Sequence, residues 1–155
     1  MDYRLYRPEN FAALYAIEEA CFPPPFRFSR AYMRQLTESE DTATWIAGDE
    51  TGMAGFAIVE WTEAPDAVAY IQTIEVASHR RRLGIGGELL RRVEQSAQEA
   101  GATALWLHVD AGNAAAIRLY ESRGYVCSGR EPHYYARGRA ALIYAKPLGM
   151  ASAEG

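Results

Sequence analysis

A glycine-rich turn that follows a run of arginines is the part of this sequence best suited to bind an anion. Gly84, Gly86 and Gly87 stand where an apolar helical repeat begins, and Arg81 and Arg82 lie directly before them. The N-terminus of a helix presents unpaired backbone N–H groups and a partial positive charge, and glycines keep side chains out of the way. The arginines suit a diphosphate better than a lone carboxylate. We therefore expect a diphosphate-binding turn, with an ordinary tight turn beside solvated arginines as the alternative.

Two familiar phosphate-binding motifs are excluded. A dinucleotide fingerprint, G-x-G-x-x-G, would need a glycine where Leu89 stands. A P-loop would need Gly-Lys followed by Ser or Thr, and the sequence has no such run. The turn must therefore bind its anion in another way.

Three ionisable side chains within apolar segments could take part in chemistry. His108 interrupts the run "LWLHV" and is either a base or a satisfied histidine within a sheet, because histidine is a usable base near neutral pH. Glu75 in "TIEV" would be costly to bury without a partner or a task. Tyr120 lies on an apolar helical face with Ile117, which by itself favours a packed core aromatic.

Length and composition predict one globular domain at 1–148 and a flexible tail at 149–155. The formal net charge of −4 disfavours nucleic acid as a main partner. Cys21 and Cys127 have neither metal-type spacing nor disulfide density, so we expect them to be reduced and buried, and we expect no metal site. Because no run approaches the roughly 18 apolar residues of a membrane span, we expect a soluble, cytoplasmic protein with no membrane partner.

The elements that must position these residues follow the predicted order β-α-α-β-β-β-α-β-α-β-β. The first half contains a strand at 3–7, a helix from about 8, an extended proline-rich segment and a second helix capped by Ser29. Three strands should then form an antiparallel meander, at 42–47, 53–61 and 68–76.

The second half begins with a helix from Gly84 to Gly101 and a buried central strand at 103–109. Asn113 should cap the next helix, and two strands at 125–130 and 140–146 should flank a polar loop. A right-handed crossover should place the third meander strand parallel to the central one. The result is an α/β (α+β) fold, a mixed and mostly antiparallel sheet of about seven strands flanked by about four helices.

Three segments carry a family resemblance. "RRLGIG", 81–86, matches the Arg/Gln-x-x-Gly-x-Gly/Ala signature of the GCN5-related N-acetyltransferase (GNAT) superfamily, whose element order is the one predicted above. "LWLHVDAGNAAAIRLYESRGY", 105–125, closely resembles the ribosomal-protein-alanine N-acetyltransferases, the RimI-like branch, and "HYYARGRAALIYAKPL" resembles that branch's final hairpin. The close resemblance covers 71–148. The N-terminal portion, which shapes the acceptor site in this family, matches only in pattern.

The resemblance implies acetyl-CoA as the cosubstrate, with its pyrophosphate on the backbone of the turn and its pantetheine arm along the third meander strand. A backbone N–H near Val76 would polarise the thioester carbonyl, and Asn113 would contact the cofactor from the other side. The residues expected to bind the cofactor are Ile74, Glu75, Val76, Arg81, Arg82, Leu83, Gly84, Ile85, Gly86, Gly87, Asn113 and Tyr120.

The resemblance also implies catalytic roles. Tyr120 takes the position of a proton donor to the leaving thiolate, and a phenol of pKa about 10 can protonate a thiolate whose conjugate acid lies near about 8.5. His108 stands where RimI-like enzymes carry a glutamate as proton acceptor. The base is therefore His108, Glu75 or an ordered water.

The expected acceptor is a primary amine, and a protein N-terminal α-amine suits a modest base, since its pKa is about 8 against about 10.4 for lysine. A small amine, amino acid or antibiotic is the first alternative. A non-catalytic acyl-CoA sensor is the second, because the family's glutamate is missing. Tyr134 and Tyr135 either line the acceptor entrance or cover the hairpin. The segment 27–30 faces an acidic acceptor or solvent, and we expect a monomer or a homodimer.

Overall fold

A seven-stranded sheet organises the part of the chain that this computed structural model describes, residues 1–62 and 67–149. A 3₁₀ turn, Pro8–Asn10, leads into the first helix. The strands and helices are β1 (Asp2–Leu5), α1 (Phe11–Cys21), α2 (Arg30–Glu38), β2 (Thr42–Asp49), β3 (Gly52–Trp61), β4 (Val68–Val76), α3 (Ile85–Glu99), β5 (Ala104–Asp110), α4 (Ala114–Ser122), β6 (Val126–Ala136) and β7 (Arg139–Pro147).

The strand order is β1-β2-β3-β4-β5-β7-β6. Every neighbouring pair is antiparallel except β4 and β5, which run parallel on either side of the α3 crossover. The mixed, mostly antiparallel sheet, the meander and the parallel pair predicted from the sequence are therefore confirmed.

The two faces of the sheet carry separate cores. On one face α3 packs Leu89, Leu90 and Val93 against alternate residues of β3, β4 and β5. On the other face α1 and α2 contribute Leu14, Met33 and other apolar side chains, which pack against the opposite residues of β2 and β3. Strands buried from both sides explain the nearly continuous apolar runs in the sequence.

An extra residue in β4 changes which side chains face which helix. Val59 of β3 pairs with Ile71, but the next residue back, Ile58, pairs with Thr73, so Gln72 forms a bulge. The bulge shifts the alternation of β4 by one residue, because side chains alternate between faces. Before the bulge the odd-numbered residues face α3. After it Thr73 and Glu75 face α1.

The sheet opens beside this bulge. β4 and β5 pair from Val68 with Ala104 to Ile71 with Leu107, and no pairing between them continues beyond that row. The remaining residues of β4 keep β3 on one side only. A gap therefore lies between two central strands.

The predicted helix caps are confirmed. Ser29 Oγ accepts a hydrogen bond from the backbone N–H of Tyr32 at 3.1 Å, at the start of α2. Asn113 Oδ1 accepts from the backbone N–H of Ala116 at 3.2 Å, at the start of α4. These local signals fix where each helix starts.

The end of the chain differs from the prediction. In place of strands at 125–130 and 140–146 around a polar loop, β6 continues to Ala136 and a tight turn at Gly138, with φ of 78°, leads directly into β7. β6 is an edge strand, so its polar residues remain exposed to solvent. Cys127 is exposed on this strand, and the prediction that both cysteines are buried was wrong.

Cys21 is half-buried, and both cysteines are free. Of the predicted tail 149–155, only Gly149 belongs to the described residues, and its carbonyl accepts a hydrogen bond from Gln98. Residues 150–155 lie outside them. In the described part of the chain, no helix has the length and apolar character needed to cross a membrane.

Candidate active site

The three consecutive arginines before the turn have different positions. Arg80 pairs with Asp49 at 2.7 Å and braces the turn against the β2–β3 hairpin. Arg81 donates through Nε to the carbonyl of Val76 at 3.1 Å and is turned towards the end of β4. Arg82 has a left-handed backbone, φ of 68°, and its exposed side chain forms no hydrogen bond with another described residue. Of the two arginines expected to add charge at the turn, only Arg81 is thus held by hydrogen bonds within the described part of the chain.

The N-terminus of α3 is open at this turn. Gly84 is the N-cap residue with φ of 80°, a conformation that favours glycine. A Cβ atom on buried Gly87 would collide with the guanidinium of Arg123, which reaches across from the end of α4. Arg123 is a second cation here that no sequence pattern indicated. The other expected members of the turn are exposed at its tip or lie in the first turn of α3: Leu83, Ile85 and Gly86.

The edge of β4 beside the turn faces the gap in the sheet. The backbone N–H of Ala77 donates to the Ala54 carbonyl in β3 at 2.8 Å. Because successive residues of a strand direct their backbone groups to opposite edges, Ile74 and Val76 direct their N–H groups into the gap. Glu75 directs its backbone groups towards β3.

A cavity of about 840 Å³ occupies the gap and extends along the sheet. Ten aromatic residues line it, from the segment between α1 and α2, from α2 and α4, and from the strands of the sheet: Phe22, Phe26, Phe28, Tyr32, Trp61, Tyr70, Trp106, Tyr120, Tyr134 and Tyr135. The rings of Phe26 and Tyr135 lie 4.9 Å apart and join the segment between α1 and α2 to β6. Tyr134 and Tyr135 thus lie on a strand and line the cavity, in place of the polar loop that the sequence predicted.

His108 is held from three sides in this cavity. Its Nδ1 lies 2.9 Å from the hydroxyl of Tyr70, and its Nε2 lies 3.0 Å from Oε1 of Glu131. Its ring stacks on Tyr134 with centroids 4.1 Å apart. An ionised carboxylate can only accept a hydrogen bond, so in the neutral imidazole Nε2 carries the hydrogen and Nδ1 accepts from Tyr70. This tautomer follows from the partners.

Tyr70 and Glu131, the two hydrogen-bond partners of His108, were not predicted from the sequence. Tyr70 looks like any strand aromatic, and its contact with His108 depends on the register of β4 against β5. Glu131 was assigned to the polar loop that is in fact part of β6. Burial, and then the neighbouring Tyr134, raise the pKa of Tyr70, so the phenol stays protonated.

Tyr120 and Asn113 also line the cavity, Tyr120 from α4 and Asn113 from the position directly before it. Tyr120 is buried and packs edge-on against Tyr125 with ring centroids 5.7 Å apart. Burial raises the pKa of its phenol. The amide oxygen of Asn113 caps α4, which leaves its NH₂ group for a ligand. Tyr120 thus combines the packed position and the cavity-lining position that the sequence offered as alternatives.

Glu75 is only 3% exposed and faces α1, where Glu18 is 0% exposed. Glu75 Oε2 accepts from the Thr73 hydroxyl at 2.8 Å, and Glu18 Oε2 accepts from the backbone N–H of Phe28 at 2.8 Å. Burial raises the pKa of Glu75 well above its usual range, and the neighbouring Glu18 carboxyl adds to the effect. Glu75 is not among the residues that line the cavity. Its side chain and that of His108 therefore lie in different environments.

A metal ion has no evident position in this site. Within 1–62 and 67–149, no three His, Cys, Asp or Glu side chains come together in a way that could hold one.

Comparison with known proteins decides the family. The model of the acetyltransferase (GNAT) family matches residues 11–125. The chain belongs to this family. Members of this family are acetyltransferases that use acetyl-CoA as the acetyl donor.

Three curated relatives are similar in sequence. Streptothricin acetyltransferase of Streptomyces lavendulae is 36% identical over 115 residues, covering 71% of this chain and 60% of that protein. The bS18-alanine N-acetyltransferase of Escherichia coli K12 is 39% identical over 101 residues, covering 63% of this chain and 66% of that protein. An N-alpha-acetyltransferase of Sulfurisphaera tokodaii is 30% identical and covers 94% of this chain and 83% of that protein. The chain therefore spans about two thirds or less of the first two relatives.

The crystal structure of a relative has the same fold as this chain. The ribosomal-protein-S18-alanine N-acetyltransferase of Escherichia coli superposes with a TM-score of 0.82 at 28% identity, covering 99% of this chain and 97% of that one. The resemblance to the GNAT superfamily and its RimI-like branch, stated from the sequence, is confirmed.

Proposed function

We propose that this member of the GNAT family is an acetyltransferase that transfers the acetyl group of acetyl-CoA directly to a protein or peptide N-terminal α-amine. The observation that carries the proposal is the hydrogen-bonded row Glu131, His108 and Tyr70, in which His108 and Tyr70 line an aromatic cavity. A neutral imidazole is a modest base, sufficient for an amine of pKa about 8. Two relatives are named for α-amine or N-terminal alanine acetylation, which supports the same acceptor.

The turn and the free edge of β4 are the proposed acetyl-CoA site. The open N-terminus of α3, flanked by Arg82 and Arg123, suits the pyrophosphate. The N–H groups of Ile74 and Val76 face the gap and suit the pantetheine arm. The Val76 N–H is the proposed donor to the oxyanion that forms when the amine attacks the thioester carbonyl.

The proton leaves the amine through a short relay. As the C–N bond forms, the amine gives its proton to the Tyr70 oxygen, and Tyr70 gives its own proton to Nδ1 of His108. Glu131 orients the imidazole through Nε2 and stabilises the imidazolium that results. Because the pKa of Tyr70 is raised, its phenol passes a proton on and does not remain ionised.

The C–S bond breaks as the tetrahedral intermediate collapses, and the thiolate must gain a proton. Tyr120 is the proposed donor to this sulfur, as a neutral phenol in the cavity wall. Since burial raises its pKa, complete transfer to the thiolate is uphill, so Tyr120 acts first as a hydrogen-bond donor to the developing charge. The proton that left the amine balances the one gained by coenzyme A.

The experiment is thiol release from acetyl-CoA with two short peptides of identical sequence, one with a free and one with a blocked N-terminus. Turnover of the free peptide alone supports the proposal. Turnover of both peptides would point to a side-chain amine. A chain that binds acetyl-CoA but acetylates neither these peptides nor any of a panel of polyamines and amino acids would act as an acyl-CoA sensor.

A small-molecule amine is the second candidate acceptor. The observation in its favour is the 36% identity with streptothricin acetyltransferase. Turnover of small amines without turnover of the free peptide would establish it and would contradict the N-terminal assignment.

A further inference from the structure

The described residues that line the cavity include acidic side chains but neither a lysine nor an arginine. The four carboxylates are those of Glu18, Asp41, Glu60 and Asp110. Two of these acids have partners, since Asp110 pairs with Arg139 and Glu18 accepts from a backbone N–H. Glu60 and Asp41 have no basic partner within the described ranges.

Glu60 is a carboxylate held in place without a counter-ion. It is half-buried near the end of β3, and its Oε1 accepts a hydrogen bond from the Gln72 side chain at 2.7 Å. Gln72 is the residue of the β4 bulge, and the Tyr32 hydroxyl donates to its Oε1 at 3.4 Å. A carboxylate oriented by amide and hydroxyl groups and partly removed from water gains from a cationic ligand.

Aromatic rings surround the same position. Glu60 pairs with Tyr70 in the sheet, and Tyr70 pairs with Trp106, so the three side chains form one row across β3, β4 and β5. The rings of Tyr70 and Trp106 lie 4.6 Å apart, and Tyr32, which contacts Gln72, lines the same cavity. Ring faces attract cations, and this attraction adds to that of a carboxylate.

We propose that Glu60 is a specificity-determining residue that binds a second positive charge on the acceptor, while the reacting amine lies at Tyr70 and His108. The inference rests on the proposed function and narrows the acceptor to amines that carry another cation. Two strand spacings separate Glu60 from β5, and His108 lies two residues further along, so the backbone positions of Glu60 and His108 are roughly 12 Å apart. Both side chains line the cavity, and we expect them to suit an acceptor whose two nitrogen atoms are roughly 10 Å apart. A lysine in the second position of a peptide and a long diamine both match this spacing.

The test compares acceptors that differ in one charge. Free N-terminal peptides with lysine or norleucine in the second position form one pair, and 1,7-diaminoheptane with heptylamine forms the other. Each is assayed for kcat/KM at saturating acetyl-CoA, with wild type, Glu60→Gln and Glu50→Gln. Glu50→Gln is the matched control, because Glu50 is exposed in the β2–β3 turn and does not line the cavity.

The kcat/KM of the wild type should be about tenfold higher for the lysine peptide than for the norleucine peptide. Glu60→Gln should remove this preference by lowering kcat/KM for the lysine peptide while leaving kcat/KM for the norleucine peptide unchanged. A preference confined to the diamine pair would identify a small-molecule source of the charge. Equal use of both members of each pair, or a preference that survives Glu60→Gln, would overturn the inference.

Binding of the same peptides to the CoA-bound protein, measured by calorimetry, separates the two proposals. If no acceptor is turned over, the proposed function fails. The inference then stands only if the lysine peptide still binds more tightly than the norleucine peptide and Glu60→Gln removes the difference.

Discussion

The hydroxyl of Tyr70 donates to Nδ1 of His108 across the line where β4 and β5 separate. The last paired row between these strands is Ile71 with Leu107, so the two side chains stand on either side of the start of the gap. The cavity includes the place where strand pairing ends, so Tyr70 and His108 stand where an acceptor can meet the free edge of β4.

His108→Gln should lower kcat about 100-fold, because general-base catalysis contributes on this order, while the KM for acetyl-CoA changes little. Glutamine keeps a polar side chain of similar length between Tyr70 and Glu131. Steady-state thiol release with the preferred acceptor measures both constants. His79→Gln is the control, since His79 is exposed and outside the cavity. Wild-type kcat in His108→Gln would assign the base to Glu75 or to water.

Tyr70→Phe should lower kcat about tenfold or more, because it removes the hydroxyl that connects the amine to His108 and keeps the ring. The same change at Tyr6, which does not line the cavity, should leave kcat unchanged. Stopped-flow acetylation under single-turnover conditions measures the chemical step. If Tyr70→Phe matched wild type there, the amine would have to reach His108 directly or through water.

The sequence was informative where the signal is local and failed where the contact is remote. Caps at Ser29 and Asn113 are read from one residue and its neighbours, and both helices begin there. The Gln72 bulge has no composition signal, yet it decides that Thr73 and Glu75 face α1. Glu131 could not be assigned to His108 until β6 was known to continue along β7, since only the register brings them together.

Gly84→Ala should raise the KM for acetyl-CoA several-fold and also lower stability by about 1 kcal/mol, because alanine is strained at a φ of 80°. Gly101 is the matched control, with φ of 97° at the other end of α3 and open space around it. Gly101→Ala should lose similar stability without a change in KM. Thermal unfolding and cofactor saturation curves measure the two effects. Equal KM values in both variants would remove the turn from the cofactor site.

Glu75→Gln should make the fold more stable at pH 8 than wild type, with little difference at pH 5. The raised pKa of Glu75 means that the folded state holds this proton more tightly than the unfolded chain, whose glutamate has a pKa of about 4.3. Wild-type stability from this group is therefore present at low pH and is lost as pH rises towards the folded pKa. Glutamine cannot ionise, and so it avoids that loss.

Glu88→Gln is the control for this experiment, because the pKa of Glu88 is lowered in the fold whereas that of Glu75 is raised. Hydrogen bonds from Arg91 and Arg92 lower the pKa of Glu88 to about 2, so its contribution is present above the unfolded pKa and is lost only as pH falls towards 2. Glu88→Gln should therefore be less stable than wild type at both pH 5 and pH 8. Thermal unfolding of the three proteins at the two pH values decides the question. A Glu75→Gln protein destabilised at pH 8 would show that this carboxyl is ionised in the fold, and Glu75 would return as a candidate base.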